Sequence, residues 1–278
     1  MPVLVTTRAG GVSAPPFGGP GSGGGLNLGD HVGDDADAVA ANRARLAERV
    51  GLPVRYMRQV HGRQIALVRA PGPPPEADAL VTDVPGLALA VMVADCAPVL
   101  FEAPTAVAVA HAGRGGMAEG VIGATVEALA DLGARPDRLG VTVGPCVCAG
   151  CYEVPDGLRA EVERRVPGSA AHTRHGTAAI DLRAGIIGQL TRMGVTRIAV
   201  SGRCPAEDPE LYSYRRDGRT GRFAGLAWLP SPPLRPGALI GLAGSAGLDE
   251  VAGLDEVAGL DLEGVVGVAG ATATAEPS

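Results

Sequence analysis

Eight consecutive apolar residues at 87–94 set the strongest constraint on how this chain folds. The run is far shorter than the roughly 20 residues needed to cross a bilayer. It is short, apolar and bounded by turn residues, so it reads as a buried strand. Residues 106–110 read the same way, and 140–143 and 197–200 predict further short strands. Apolar positions at helical spacing predict helices at 36–50 (Val39, Leu46, Val50), 117–132 (Met117, Val121, Val126, Leu129) and 183–193. Gly51 with Pro53 ends the first helix, and Gly133 ends the second. Glycines at 18–25 predict a flexible loop, and prolines at 71–75 a surface turn. Strands and helices mix without strict βαβ alternation. The expected fold is therefore α/β of the α+β kind: a mixed β-sheet sandwich with flanking helices, in a single domain over residues 1–230.

Aromatic residues are only 3% of the 278-residue chain, so Val, Leu and Ala must build the core. Hydrophobic residues at 46% and charged residues at 19% exclude global disorder. A net charge of −6 argues against a broad nucleic-acid-binding face. All 24 cationic residues are Arg. Beyond Pro230 a Pro-rich linker leads into a six-residue period that begins at Ala246-Gly247-Leu248-Asp249-Glu250-Val251. Three short copies cannot build a solenoid core. Residues 231–278 therefore read as a low-complexity, disordered tail. The first residues show no basic stretch followed by an apolar one, and no membrane span is visible, which predicts a cytoplasmic protein. Five cysteines in a reducing compartment are thiols, metal ligands or core filler.

Three places pair an element end with a reactive side chain: Gln59-Val60-His61-Gly62, Ala94-Asp95-Cys96-Ala97-Pro98 and Val109-Ala110-His111-Ala112-Gly113. Zn²⁺ takes imidazole and thiolate readily, and a catalytic site uses three protein ligands and leaves the fourth position open. His61, Cys96 and His111 are too far apart along the chain for a zinc finger and suit ligands converging from separate strands. The same residues support a Cys/His hydrolase, with Cys96 as nucleophile, His111 or His61 as base and Asp95 as orienter. The plain alternatives are loop or core histidines, a buried thiol, and a turn-capping Asp95. Gly113-Arg114-Gly115-Gly116, ahead of a helix, reads either as an anion site or as an ordinary turn. Cys146, Cys148 and Cys151 do not form a paired Cys-x-x-Cys array, and with Cys204 they are not taken as a metal site. The Arg-rich stretch 212–222 reads as a loop whose arginines pair internally or line a pocket.

Many of these segments occur together in a familiar order. Thr7-Arg8, Gly10-Gly11-Val12-Ser13, Leu26-Asn27-Leu28-Gly29-Asp30-His31, Asn42-Arg43, Gln59-Val60-His61-Gly62, Ala77-Asp78-Ala79, Ala94-Asp95-Cys96, His111-Ala112-Gly113, Gly144-Pro145, Cys151-Tyr152-Glu153-Val154 and Ser213-Tyr214-Arg215-Arg216-Asp217-Gly218 resemble the YfiH / laccase-domain family over about residues 5–229. The resemblance implies one active site with a zinc ion held by His61, Cys96 and His111. It also implies phosphorolysis of adenosine, inosine and methylthioadenosine to base and ribose 1-phosphate, together with adenosine deamination. The partners implied are a small-molecule nucleoside and phosphate, with no nucleic acid and no membrane. Arg43 and Arg114 are the expected phosphate contacts, and Asn27 a sugar or base contact. This chain departs from the family's His-Ala-Gly-Trp-Arg-Gly at His111-Ala112-Gly113-Arg114-Gly115-Gly116, where the Trp is missing and the Arg comes one position early. The family's other names keep two alternatives open. One is a copper-dependent polyphenol oxidase with Met92 or Met117 as weak axial ligand, which the five His make a poor multicopper candidate. The other is a Cys/His hydrolase acting in peptidoglycan editing.

Overall fold

The first predicted helix forms where the capping chemistry puts it. The Asp35 carboxylate accepts the Ala38 N–H at 2.9 Å, and Gly51, at φ 70°, closes the far end. The structure is a computed structural model that describes residues 2–21, 23–230 and 265–267. In chain order its elements are β1 (Val3–Val5), β2 (Ala9–Ser13), α1 (Ala36–Val50), β3 (Val54–Arg55), β4 (Ile65–Leu67), β5 (Ala79–Thr82), β6 (Ala88–Val93), β7 (Ala97–Glu102), β8 (Val107–Ala112), α2 (Arg114–Glu119), α3 (Val121–Asp131), β9 (Gly140–Val143), α4 (Asp156–Arg165), β10 (Ala170–His172), β11 (Ala178–Ile180), α5 (Leu182–Arg192), β12 (Arg197–Ser201), α6 (Tyr214–Asp217), β13 (Phe223–Trp228) and β14 (Val265–Gly267). The expected mixed α/β single domain is what forms.

Two sheets carry the architecture. A seven-stranded sheet runs β14-β12-β9-β7-β8-β5-β4, and a four-stranded sheet runs β1-β13-β6-β3. The period of two along each strand assigns the layers. On β6, Leu89, Val91 and Val93 face a core shared with Leu80, Leu100, Val109 and Phe223, which lies between the sheets. Ala88, Ala90 and Met92 face outward onto Leu28, ahead of α1, and onto Leu46 of α1. On β8, Val107 and Val109 join the core between the sheets, while Ala108, Ala110 and Ala112 pack against Met117, Ile122, Val126 and Ile186 on the helical side. Small alanines there let the helices lie close to the large sheet, which suits a chain poor in aromatics.

The predicted helix over 117–132 is broken. Gly120 adopts φ 91° and its N–H bonds back to the Gly116 and Met117 carbonyls, ending α2 and starting α3. The break lets the short α2 fold over the end of β8. The helix predicted at 183–193 forms as α5, one residue earlier at each end. α4 buries only Val162 as a full core contact, so it carries almost no apolar stripe to read. The tail expected at 231–278 lies outside the described residues except for Val265–Gly267, which pair antiparallel with β12. No helix among the described residues is long and apolar enough to cross a membrane.

Asn42 ties α1 to the glycine-rich N-terminal segment. It is fully buried, accepts the Val12 N–H at 2.9 Å, and donates to Ser13 Oγ and to the carbonyls of Gly25 and Asn27 at 2.9–3.0 Å. Gly11 passes so close that a Cβ would sit 2.1 Å from the Gly25 carbonyl oxygen. Asn42→Ala strands several buried polar groups at once. It is expected to lower the unfolding free energy by about 3 kcal/mol, read as a shifted urea midpoint with an unchanged slope.

Candidate metal centre and cavity

The site begins with a buried carboxylate. Asp78, at the entry to β5, accepts the backbone N–H groups of Val60, His61 and Gly62 at 3.3, 2.9 and 2.7 Å. This grip holds His61 at φ 62°, a left-handed conformation that a β-carbon normally disfavours. The same carboxylate meets His111 Nδ1 at 2.9 Å. His111 follows Val107 and Val109 onto the face of β8 between the sheets, and its side chain also hydrogen-bonds the Cys96 thiol. Cys96 sits in the turn joining β6 to β7, next to Asp95 at φ 99°. One ligand atom each from His61, Cys96 and His111 lie within 4.8 Å of one another. The two imidazole rings meet edge to face at 4.6 Å.

The glycines after His111 are there for close approach. A Cβ on Gly113 would stand 2.8 Å from Cys96 Sγ, and one on Gly116 would stand 2.9 Å from the Gly62 carbonyl oxygen. Asp95 acts as the turn carboxylate that the sequence allowed. It accepts Ser213 Oγ–H and the Arg215 N–H, both at 2.7 Å, and so fixes the start of α6 over the site.

The centre opens into a cavity of about 620 Å³. Its walls include Gln59, Met92, Tyr152 and Tyr214, with three arginines: Arg114, Arg215 and Arg222. None of the three forms a salt bridge among the described residues. Burial pulls the Arg222 guanidinium below its usual value, and its side chain folds back onto the Thr220 and Gly221 carbonyls. Arg114 hydrogen-bonds Tyr152, so moving the arginine one position early still delivers it to the cavity. Arg215 stacks over the Tyr152 ring at 4.9 Å.

Other expected contacts are not brought there. Asn27 is fully buried. Its amide donates to the Gly29 carbonyl and Asp34, and its oxygen accepts the Gly29 and Arg222 N–H groups. Its polar capacity is spent on positioning Arg222. Arg43 lies outside the cavity wall, bonded to the Leu28 carbonyl and Asp30 and stacked on Tyr56 at 4.2 Å. Met117 packs in the helical-side core and is unavailable as an axial ligand, whereas Met92 does line the cavity. Asp78, Tyr152, Tyr214, Arg215 and Arg222 were not assigned roles from sequence. A lone acid just before an apolar strand was the available signal for Asp78, and the Arg-rich 212–222 stretch for two of the arginines.

Burial alone would raise the Cys96 thiol, but the charge on His111 and hydrogen bonds from both histidines bring it down to about 6. Burial alone would lower His111, but the Cys96 thiolate and the Asp78 hydrogen bond raise it to about 9. Without a metal, the pair is a thiolate beside an imidazolium. Two imidazoles, a thiolate, an orienting carboxylate and an open side suit zinc, and the same donors suit copper.

Fold and site together define a mixed α/β protein whose His–Cys–His centre can hold a metal and opens on a cationic cavity. Residues 2–230 match the family described as multi-copper polyphenol oxidoreductase laccase. A purine nucleoside phosphorylase of Corynebacterium glutamicum is 47% identical over 236 residues, covering 82% of this chain and 94% of that protein. A purine nucleoside phosphorylase of Mycobacterium tuberculosis is 50% identical over 233 residues, covering 81% and 91%. A DUF152 protein of Neisseria meningitidis superposes with a TM-score of 0.73 at 38% identity, covering 82% of this chain and 94% of its own. The hypothetical protein YfiH of Bacillus licheniformis superposes with a TM-score of 0.74 at 30% identity, covering 82% and 92%. The chain belongs to this YfiH (DUF152) laccase-domain family of enzymes.

A metal that binds here must displace the proton on His111, so affinity rises with pH through the neutral range. Calorimetric titration of metal-free protein with zinc at pH 7, run in buffers of different ionisation heat, is expected to show about one proton released at this site. Asp78→Asn removes the charge that orients His111 and is expected to weaken zinc binding here by about 10–100-fold.

Proposed function

We propose that this cavity is the active site of a zinc-dependent purine nucleoside phosphorylase that also deaminates adenosine. The observation that carries the reading is the convergence of Arg114, Arg215 and Arg222, without salt bridges, on the same cavity as His61, Cys96 and His111. Cations left unneutralised in a partly desolvated cavity favour an anionic substrate, and phosphate meets a guanidinium in a bidentate way. The names of the relatives support the same chemistry.

Phosphorolysis breaks the bond between the ribose C1′ and the purine nitrogen. The bonding electrons leave with the base, and a phosphate oxygen closes onto C1′. The arginines hold the phosphate beneath the sugar and keep its charge next to the cationic carbon that develops. Tyr214, exposed at the cavity wall, offers an aromatic face to the purine. Gln59 is locked in place by its bonds to the Met92 N–H and carbonyl at 2.9 and 2.7 Å, and so holds that wall rigid. When bound by His61, Cys96 and His111, zinc supplies a Lewis acid for the charge on the departing base and for water activation in deamination. Five free cysteines fit the reducing cytoplasm in which nucleosides are salvaged.

The Cys96 thiolate beside His111 also supports a second reading, a Cys/His hydrolase. A multicopper oxidase is disfavoured by donor chemistry, because the other candidate cluster among the described residues contains no histidine. Chromatography of adenosine and inosine incubated with and without phosphate separates the outcomes. The expected result is phosphate-dependent release of hypoxanthine from inosine, lost in His111→Ala. Arg222→Gln is expected to raise the KM for phosphate by about tenfold or more, with a smaller effect on the nucleoside. Turnover that survives chelation, and stops on alkylation of Cys96, would replace this reading with the hydrolase.

A further inference from the structure

We propose that Cys148, Cys151, Cys204 and Glu207 form a second metal site, a structural zinc clip built of three thiolates and one carboxylate. One ligand atom from each of these residues lies within 4.8 Å of the others. In a tetrahedron with zinc–sulfur bonds of about 2.3 Å the sulfur atoms stand about 3.8 Å apart, so only a small contraction is required. The sequence hides the site because its two halves are distant. Each half has the same form, a pair of ligands with two residues between: Cys148-Ala149-Gly150-Cys151 and Cys204-Pro205-Ala206-Glu207.

The backbone of both halves is already coiled as a ligand turn. The Cys151 N–H bonds the Cys148 carbonyl at 3.0 Å, and the Glu207 N–H bonds the Cys204 carbonyl at 2.9 Å. Cys204 Sγ accepts the Cys148 N–H at 3.3 Å, and the Ala206 N–H as well. Two amide donors aimed at one sulfur orient it as outer-shell hydrogen bonds orient ligands around metals, while burial holds the Cys204 thiol above its usual pKa. Arg174 pairs with Glu207 and offsets part of the negative charge of a site with four anionic donors. All four donors belong to protein, which leaves no open coordination position and marks the site as structural.

The clip fastens two segments that build the cavity. Val147, beside the first half, donates its N–H to the Asp95 carbonyl at 2.9 Å, and Tyr152 follows the other end. The second half is held by Arg216, which donates to the Pro205 carbonyl at 2.6 Å next to the cavity-lining Arg215. Zinc here would join the two walls without touching substrate.

The test is metal analysis of the full chain purified without oxygen or chelator. About two zinc ions per chain are expected for the unmodified protein, and about one for His111→Ala, which keeps only the clip. In the His111→Ala background, Cys204→Ser is expected to lose the remaining ion. Glu207→Cys guards against a variant that merely misfolds: it is expected to retain the ion, and Glu207→Ala to release it to a competing chelator at least about tenfold more readily. Cobalt exchanged into His111→Ala is expected to show the strong sulfur-to-cobalt absorption of several thiolates. A His111→Ala protein that is folded but metal-free overturns the proposal. So does a disulfide joining any two of the three cysteines, or an affinity unmoved by Glu207→Ala.

Discussion

The buried carboxylate of Asp78 is the constraint on which the rest of the site depends. One side chain binds three successive backbone N–H groups and an imidazole, and it does so in full burial. Burial would raise its pKa, yet the hydrogen bonds from His111 and from the Gly62 and His61 N–H groups hold the carboxyl below the usual carboxylate range. An uncompensated charge at this position would be strongly destabilising, so the carboxylate and its donors must form together. That single requirement sets the left-handed turn at His61 and the orientation of the His111 ring.

The layers were legible because strands obey a period of two and the apolar runs were unbroken. Residues 87–94 and 106–110 read as buried strands and form them, and Gly51 marked the end of α1 by its own chemistry, whereas the Asp35 cap is seen only in the structure. His61, Cys96 and His111 could be singled out as reactive groups at element ends. The split of 117–132 was not legible, since Gly120 interrupts a stripe that continues on both sides of it. Arg43 and Asn27 lie away from the cavity wall. Both types contact substrates in many proteins, but here their hydrogen bonds are consumed by the 27–30 turn and by the backbone of Arg222. Residue type could propose them, and only tertiary geometry shows that Arg114, Arg215 and Arg222 line the cavity instead of Arg43.

Charge is distributed unevenly in this chain. The net charge is −6, yet the cavity is lined by arginines with no acidic partner in salt-bridge contact among the described residues. Several arginines elsewhere do pair with carboxylates, as Arg69 does with Asp83 and Arg203 with Asp208. A guanidinium without a salt-bridged carboxylate in a buried wall is held at a cost that its carbonyl partners offset in part and anion binding would offset further. The net charge of −6 falls entirely in residues 231–278, which hold seven acids and one Arg, so residues 1–230 carry no net charge against which the cavity's arginines are set.

Two of the three side chains of the centre already meet on one hairpin: β7 and β8 pair antiparallel with Pro98 opposite His111, and Cys96 lies directly ahead of β7. His61 joins them from a loop fastened by Asp78 at the start of β5, the strand beside β8. An ion held there would tie that loop to the hairpin, so its departure would free the loop first and leave the strands paired.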